Sequence, residues 1–341
     1  MKTKWRRLFI TTFVIFVLAM GGSGLYFSQA SAKAKPIQLI FSTYWPTSYT
    51  YLVEPIENFA KKVEKRTDGC VKIKVYHSGQ LFKGKEEFAA CERGDIDMTA
   101  PLDIYMTGII PELGIGSLPF LFSDNKSFQK CLDAGLWDLG IKKKLLEHNL
   151  IFLGVATGGG YQVYSKKSPV YLPKDFKGKA WGVSGSTASK ACALLGGSPT
   201  TMSSGELYMA LQRGTIDGCT RPLITGLGRK LYETVKYLTV TNMYYYSSFL
   251  VINKKTWDKL PKDIQKTMIQ AGKERDKEQL KKLIVYENKA VKTYQEKGVK
   301  VHIPTSKELA EFRKAIMPVY DWWYGIVPDG KKYTDFAKTH Q

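Results

Sequence analysis

Histidine is scarce in this chain, and that scarcity removes several chemistries at once. The four residues, His77, His148, His302 and His340, are far apart and form no i, i+4 pair of the kind that grips a metal on one helix face. Cysteine is limited to Cys70, Cys91, Cys131, Cys192 and Cys219, with no C-x-x-C spacing. Five thiols cannot all pair; Cys91 with Cys131 and Cys192 with Cys219 are the candidate disulfides, and buried free thiols are the alternative. No G-x-S-x-G, H-E-x-x-H, phosphate-loop or dinucleotide fingerprint occurs. The residues therefore point away from catalysis, and neither a cofactor nor a metal is expected.

Negative charge is also in short supply, with 31 acidic against 51 basic residues and a formal charge of +20. The cations are scattered along the chain rather than clustered, which excludes a nucleic-acid groove. Such an excess suits anionic solutes or lipid headgroups, or simply a solvated surface. Beyond residue 32 no apolar run is long enough to cross a bilayer.

The first 32 residues read as an export signal. Lys2, Lys4, Arg6 and Arg7 precede the apolar stretch Leu8 to Met20, and Ala30-Ser31-Ala32 offers a cleavage site near Ala32. An uncleaved anchor is the competing reading, because Leu8 to Phe27 approaches a spanning length; Gly21, Gly22, Ser23 and Gly24 interrupt it. Cleavage would lower the formal charge from +20 to +16 and put the mature protein in the periplasm.

Short apolar runs alternate with helical patterns, which predicts an α/β protein. Strands are expected at Ile37–Phe41, Val71–Tyr76, Ile96–Thr99, Ile151–Ala156, Gln162–Ser165 and Phe249–Ile252. Helices are expected at Tyr51–Lys65 and Lys85–Glu92, from near Asp124, and from Pro261 to about Gln295. Ser203 with Glu206, and Thr305 with Glu308, have capping-box spacing. Gly158-Gly159-Gly160 reads as a turn between two strands and as the crossing into a second lobe.

Two segments carry the most specific pattern. One is Asp175-Phe176-Lys177-Gly178-Lys179-Ala180-Trp181-Gly182-Val183; the other runs Gly205-Glu206-Leu207-Tyr208-Met209-Ala210-Leu211-Gln212-Arg213-Gly214-Thr215-Ile216-Asp217-Gly218. With Ser78-Gly79-Gln80-Leu81, Glu86, Arg93-Gly94-Asp95-Ile96-Asp97-Met98 and Leu118-Pro119-Phe120-Leu121-Phe122, they resemble in type and order the solute-binding proteins of TRAP (tripartite ATP-independent periplasmic) transporters, the DctP family. The resemblance implies a two-lobe periplasmic-binding-protein clamshell with a long helix bracing both lobes. Lobe I would comprise 33–158 with about 248–286 returning to it, and lobe II 159–247 with about 287–341. It also implies a task without hydrolysis: capture of a small organic solute and delivery to membrane permease subunits. A clamshell that presents its closed state to a membrane receptor is the alternative. A monomer is expected rather than a helix-exchanged dimer.

Three departures from the family pattern shape the expected site. Gly182 stands where the family places an arginine that pairs with a substrate carboxylate, a bidentate geometry no other side chain reproduces. Gln162, after Tyr161, falls where some members carry a second arginine. Asp217-Gly218 is followed by Cys219-Thr220-Arg221-Pro222 instead of Gln-Glu-Asn-Pro. Either the cation has moved to Arg221 and the ligand is still an anion, or Gly182 makes room for a ligand without a carboxylate. A surface or hinge ion pair is the alternative for Arg221, but its place just after the Asp217-Gly218 strand end, where the cleft should be, favours the moved cation and an anionic ligand. The expected contacts are Arg221, Gln162, Thr220 and Gly182, with Tyr161, Trp45 and Tyr245 as aromatic walls and Gln80 and Glu86 from the first lobe. Ser42 and Asp103 are weaker candidates, and core packing is the plain alternative for each aromatic. Strand alternation turns Trp181 away from the Gly182 side and into the core.

Overall fold

The computed structural model describes residues 35–341; the expected signal segment and the cleavage site near Ala32 lie outside them. Ten strands form one continuous sheet: β1 (Ile37–Ser42), β2 (Val71–Tyr76), β3 (Met98–Thr99), β4 (Leu150–Ser165), β5 (Ala180–Val183), β6 (Ser198–Thr201), β7 (Gly218–Pro222), β8 (Tyr237–Thr239), β9 (Tyr245–Asn253) and β10 (Lys300–His302). Their order is β2-β1-β3-β9-β4-β7-β5-β6, with β8 bridging β4 to β10. The outer pairs β1/β2, β1/β3, β5/β6 and β5/β7 are parallel, joined by helical crossovers, whereas β9 and β4 run antiparallel through the middle.

β4 belongs to both halves. Leu150 to Gly160 pairs with β9, and Tyr161 to Ser165 pairs with β7. The expected turn at Gly158-Gly159-Gly160 is therefore not a turn. Pairing with β9 continues through it, and the extra residue is absorbed as a bulge between Thr157 and Gly159, with Gly159 at φ +121°. A second irregularity lies between Phe152 and Gly154.

The helix Lys262–Glu296, about 52 Å long at 1.5 Å per residue, runs along this strand. Asp276 accepts the Val155 N–H (3.0 Å), and Gln279 donates to the Ala156 and Thr157 carbonyls (3.3 and 2.9 Å). Glu287 takes the Gly160 N–H and the Asn125 amide. These side chains meet the strand at and beside its bulges, where the ladder leaves backbone groups to be satisfied. At its middle the helix is tied to Asn58 through Glu278 (2.7 Å); near its end Tyr294 donates to the Leu223 carbonyl (2.9 Å). It thus braces both halves, as the family resemblance implied.

Other expectations hold closely. The first helix is Thr50–Arg66, and Asp124, Ser203 and Thr305 each sit in a capping box. Trp181 is fully buried and stacked on Phe176 at 4.2 Å. At the end of the chain, Val319, Trp323, Tyr333 and Ala337 join the apolar cluster of Phe128, Trp137 and Phe249, while the helix Pro318–Ile326 also packs on the helix Gly185–Leu194 that follows β5. The five cysteines are free thiols, with Cys70 exposed and the others buried, which removes the Cys91–Cys131 and Cys192–Cys219 pairs.

Candidate functional site

Arg221 lies near the end of β7, next to the point where β4 passes from one half to the other, and it is 1% exposed. One Nη donates to Ser184 Oγ (3.0 Å) and to the Tyr161 hydroxyl (3.4 Å), and the other to the Tyr105 hydroxyl (3.3 Å). Its Nε–H has no partner. Among the described residues no carboxylate forms an ion pair with it; the groups acting on its charge are the phenols of Tyr105, Tyr161, Tyr49 and Tyr44. Burial opposes the charge, but these phenols outweigh it and hold the guanidinium protonated. Burial likewise raises the Tyr105 hydroxyl, and the adjacent Arg221 more than offsets this, drawing it below the ordinary phenol range. A buried charge without a counter-ion costs several kcal/mol even after relaxation, so this arrangement is a structural liability unless an anion meets it.

The surrounding side chains come from both halves. Tyr44, Trp45 and Tyr49 follow β1, and Tyr105 lies on the short helix Asp103–Met106. Tyr161 stacks on Tyr244 (4.6 Å) and meets Tyr246 edge-on (5.8 Å). Trp45 is fully buried and its Nε1–H is unpartnered. The Ser204 N–H, at the start of the helix Ser204–Arg213, donates to Tyr105 (3.0 Å), and Arg229 Nε donates to Tyr49 (3.2 Å). Above this cluster opens a mouth of about 560 Å³, lined by Tyr44, Ser78, Lys83 and Glu86 from one half and by Ser203 and Arg229 from the other.

The structure brings Arg221, Tyr161 and Thr220 into one buried neighbourhood, Thr220 through its 2.6 Å bond to Tyr244, on which Tyr161 stacks; Trp45 is buried in the same apolar cluster as Tyr161. Three expected residues are used differently. The Cβ direction of Gly182 points at Leu207 Cδ2 (2.6 Å), Ile216 Cδ1 (2.9 Å) and Met202 Sδ (3.2 Å), so this glycine faces the apolar core of the second half and makes no room for a ligand. Gln162 spends its amide on the Gly160 carbonyl (3.0 Å) and on Asn242 (2.6 and 2.8 Å). Tyr245 points to the opposite face from Tyr244 and Tyr246, donates to the Ser123 carbonyl (3.0 Å) and packs near Phe128. Glu86 sits on the rim holding the Lys83 N–H (2.9 Å), and Gln80 is exposed.

Of the weaker candidates, Ser42 donates to Glu87 (3.3 Å). Asp103 accepts the Ser247 N–H and hydroxyl (2.8 and 2.6 Å) and the Ile104 N–H (2.6 Å). Burial pushes its carboxyl up to about 7 against those three bonds. Sequence reasoning missed Tyr44, Tyr49, Tyr105 and Ser184. Ser184 stands one residue beyond the motif ending at Val183, and Tyr44 flanks Trp45; Tyr105 had no signal beyond its place two residues after Asp103.

Comparison with known proteins shows the family and the fold. Residues 41–325 match the family model for DctP, the bacterial extracellular solute-binding protein, family 7. The C4-dicarboxylate-binding periplasmic protein DctP of Rhodobacter capsulatus is 30% identical over 85% of this chain and 87% of its own. The TRAP periplasmic solute-binding protein of Sulfurospirillum deleyianum, solved with succinate, is 25% identical with a TM-score of 0.81, covering 90% of this chain and 99% of that one. That of Chromohalobacter salexigens, solved with D-glucuronate, shares the fold at 24% identity and a TM-score of 0.84, covering 89% and 100%. The family model over residues 41–325, with relatives matched along nearly the whole chain, places this chain in the DctP family of TRAP transporter solute-binding proteins.

Proposed function

We propose that this protein captures a small organic anion in the periplasm, with Arg221 as the anchor for its carboxylate, and hands it to the membrane permease. The observation that carries the reading is the buried guanidinium with a free Nε–H and no carboxylate partner. Residues of both halves meet around it, so an anion held there favours the closed arrangement over the open one. Tyr105 and Ser184 orient the guanidinium through its two Nη groups and leave the Nε edge for the ligand. At the rim Lys83, Lys85 and Arg229 outnumber Glu86 and Glu206 by one charge, a small bias toward anions. Relatives that carry succinate or D-glucuronate support the ligand class without specifying the compound.

The test is titration calorimetry of the mature protein with a panel of organic acids, repeated on Arg221→Ala and Arg221→Lys. Loss of a desolvated, hydrogen-bonded charge pair costs about 2–5 kcal/mol. The alanine variant should therefore bind roughly 30-fold to several-thousand-fold more weakly, and lysine should rescue little because it cannot chelate a carboxylate. Equal affinity in Arg221→Ala would refute the anchor.

A further inference from the structure

Two places where the halves meet near Arg221 are bare backbone on the second half. Gly185 follows Ser184, and a Cβ there would stand 2.3 Å from the Ile104 carbonyl oxygen and 3.0 Å from Thr107 Oγ1. Gly228 ends the helix Leu223–Gly228 after β7; a Cβ there would stand 2.7 Å from both Cδ1 and Cε1 of Tyr49 and 3.2 Å from Ser48 Oγ. Gly185 has a φ of +79°, which by itself calls for glycine. Gly228 lies outside the left-handed region, where a helix favours alanine over glycine. What leaves no room for a side chain at 228 is the ring across the cleft.

Tyr49 precedes the helix Thr50–Arg66 of the first half and is buried. Its hydroxyl donates to the Thr225 carbonyl (3.3 Å) and accepts from Arg229 Nε (3.2 Å), and the Arg229 guanidinium lies 5.4 Å from the ring centroid. Beside it, Ser48 Oγ donates to the Gly228 carbonyl (3.1 Å). The ring is held at one end by the chain and at the other by two hydrogen bonds, so it cannot swing off Gly228 without breaking both. Arg229 then leads inward. Its Nη2 donates to Ser204 Oγ (3.4 Å), and the Ser204 N–H and Arg221 share the Tyr105 oxygen (3.0 and 3.3 Å). A run of direct contacts between the halves thus joins the rim to the buried cation.

Resting on the reading above that a solute is captured between the halves, we infer that Tyr49, Gly228 and Arg229 form a clasp across the cleft, positioning residues that stabilise the closed state whichever acid is held and so set how long it stays. Arg221 gives the anion its preference for closure, and the clasp opposes reopening. Its strength depends on a ring in contact with backbone that carries no side chain, since even a gap of an ångström forfeits much of the dispersion attraction. Mutations at one interface act mostly on dissociation, so the clasp is read in the release rate.

The experiment compares wild type with Gly228→Ala, Tyr49→Ala, the two together, and Arg221→Gln. The probe is whichever of succinate, D-glucuronate, pyruvate and benzoate binds the mature wild-type protein most tightly. Calorimetry and stopped-flow fluorescence give affinity and release; urea unfolding without ligand gives stability. Gly228→Ala should release the acid about 5- to 150-fold faster, the factor that overpacking carries, with the ligand-free urea midpoint unchanged or raised. In the Tyr49→Ala background the same substitution should change binding by less than about twofold, because the ring it would strike is gone. An unchanged release rate in Gly228→Ala overturns the clasp. So does a lowered ligand-free midpoint, which would set Tyr49 against Gly228 in every state of the fold, or an equal loss of binding in the Tyr49→Ala background. Arg221→Gln keeps the two levels apart. If it abolishes binding while Gly228→Ala releases normally, the clasp falls and the anchor stands; if it binds as wild type does while Gly228→Ala releases faster, the anchor falls and the clasp stands. A folded wild-type protein that binds none of the four acids at millimolar concentration overturns both.

Discussion

Replacing Gly182 by arginine would restore the residue that the family pattern places in β5, and the structure predicts that it damages the protein instead. The Cβ of even an alanine would come 2.6 Å from Leu207 Cδ2 and 2.9 Å from Ile216 Cδ1, both on residues only 1% exposed. Those are the ends of flexible side chains and can give way. Overpacking of this kind costs about 1–3 kcal/mol, and relief of the glycine's unfolded-state entropy offsets about 0.5–1 kcal/mol. Gly182→Ala should then lose about 1 kcal/mol in urea unfolding and leave anion affinity unchanged. Arginine adds a guanidinium among Leu207, Ile216 and Met202, with no acceptor in that cluster. An uncompensated buried charge costs about 3–5 kcal/mol, so Gly182→Arg should unfold at a clearly lower urea concentration and bind no better. A variant that keeps the wild-type midpoint and binds carboxylates more tightly would show that position 182 faces the ligand, and that the facing assigned to β5 is wrong.

Two further outcomes are expected. Burial pushes Glu287 up to about 7, against the Gly160 N–H and Asn125 that hold it down, so the folded protein keeps a proton there that the unfolded chain releases near pH 4–5. That contribution is full below the unfolded pKa and is lost as pH rises through 7. Glu287→Gln should be more stable than wild type at pH 8, with the gap closing toward pH 5 in paired denaturation curves; a gap that is constant with pH would contradict the assignment. Under native conditions a maleimide should label Cys70 alone, with the other four thiols reacting only after unfolding, as read by intact mass.

The architecture was largely legible because periodicity and capping residues report local structure. The strand at Ile37, the first helix, the long helix after Pro261 and the Ser203 and Thr305 caps all appear within a few residues of where the pattern put them. Arg221 stood out as a charge where the resembled family pattern has an asparagine. Facing was harder to read. In a strand one residue changes the side, and the bulge between Thr157 and Gly159 lies on the partner of β9, so nothing in Tyr244-Tyr245-Tyr246 says which ring looks toward Arg221. For Gly182, aligning the motif marked the position without the direction of a side chain that glycine lacks. Tyr105 and Ser184 come from a one-turn helix and a strand exit, where no repeat betrays them. Gln162 looked like a ligand contact until its neighbour across the chain, Asn242, turned out to use it fully.

β4 and β9 run unbroken through the middle of the sheet, paired over nine positions and riveted to the long helix at the bulges. A joint of this kind has no pin. Rotation of one half against the other must be stored as bending in hydrogen-bonded ribbon, as in a leaf spring clamped along its length, so the resting angle is a property of the metal and not of a stop. The restoring force then rises with displacement. An insertion or glycine near Thr157 should reset that angle and its stiffness together, even with every ligand contact left intact.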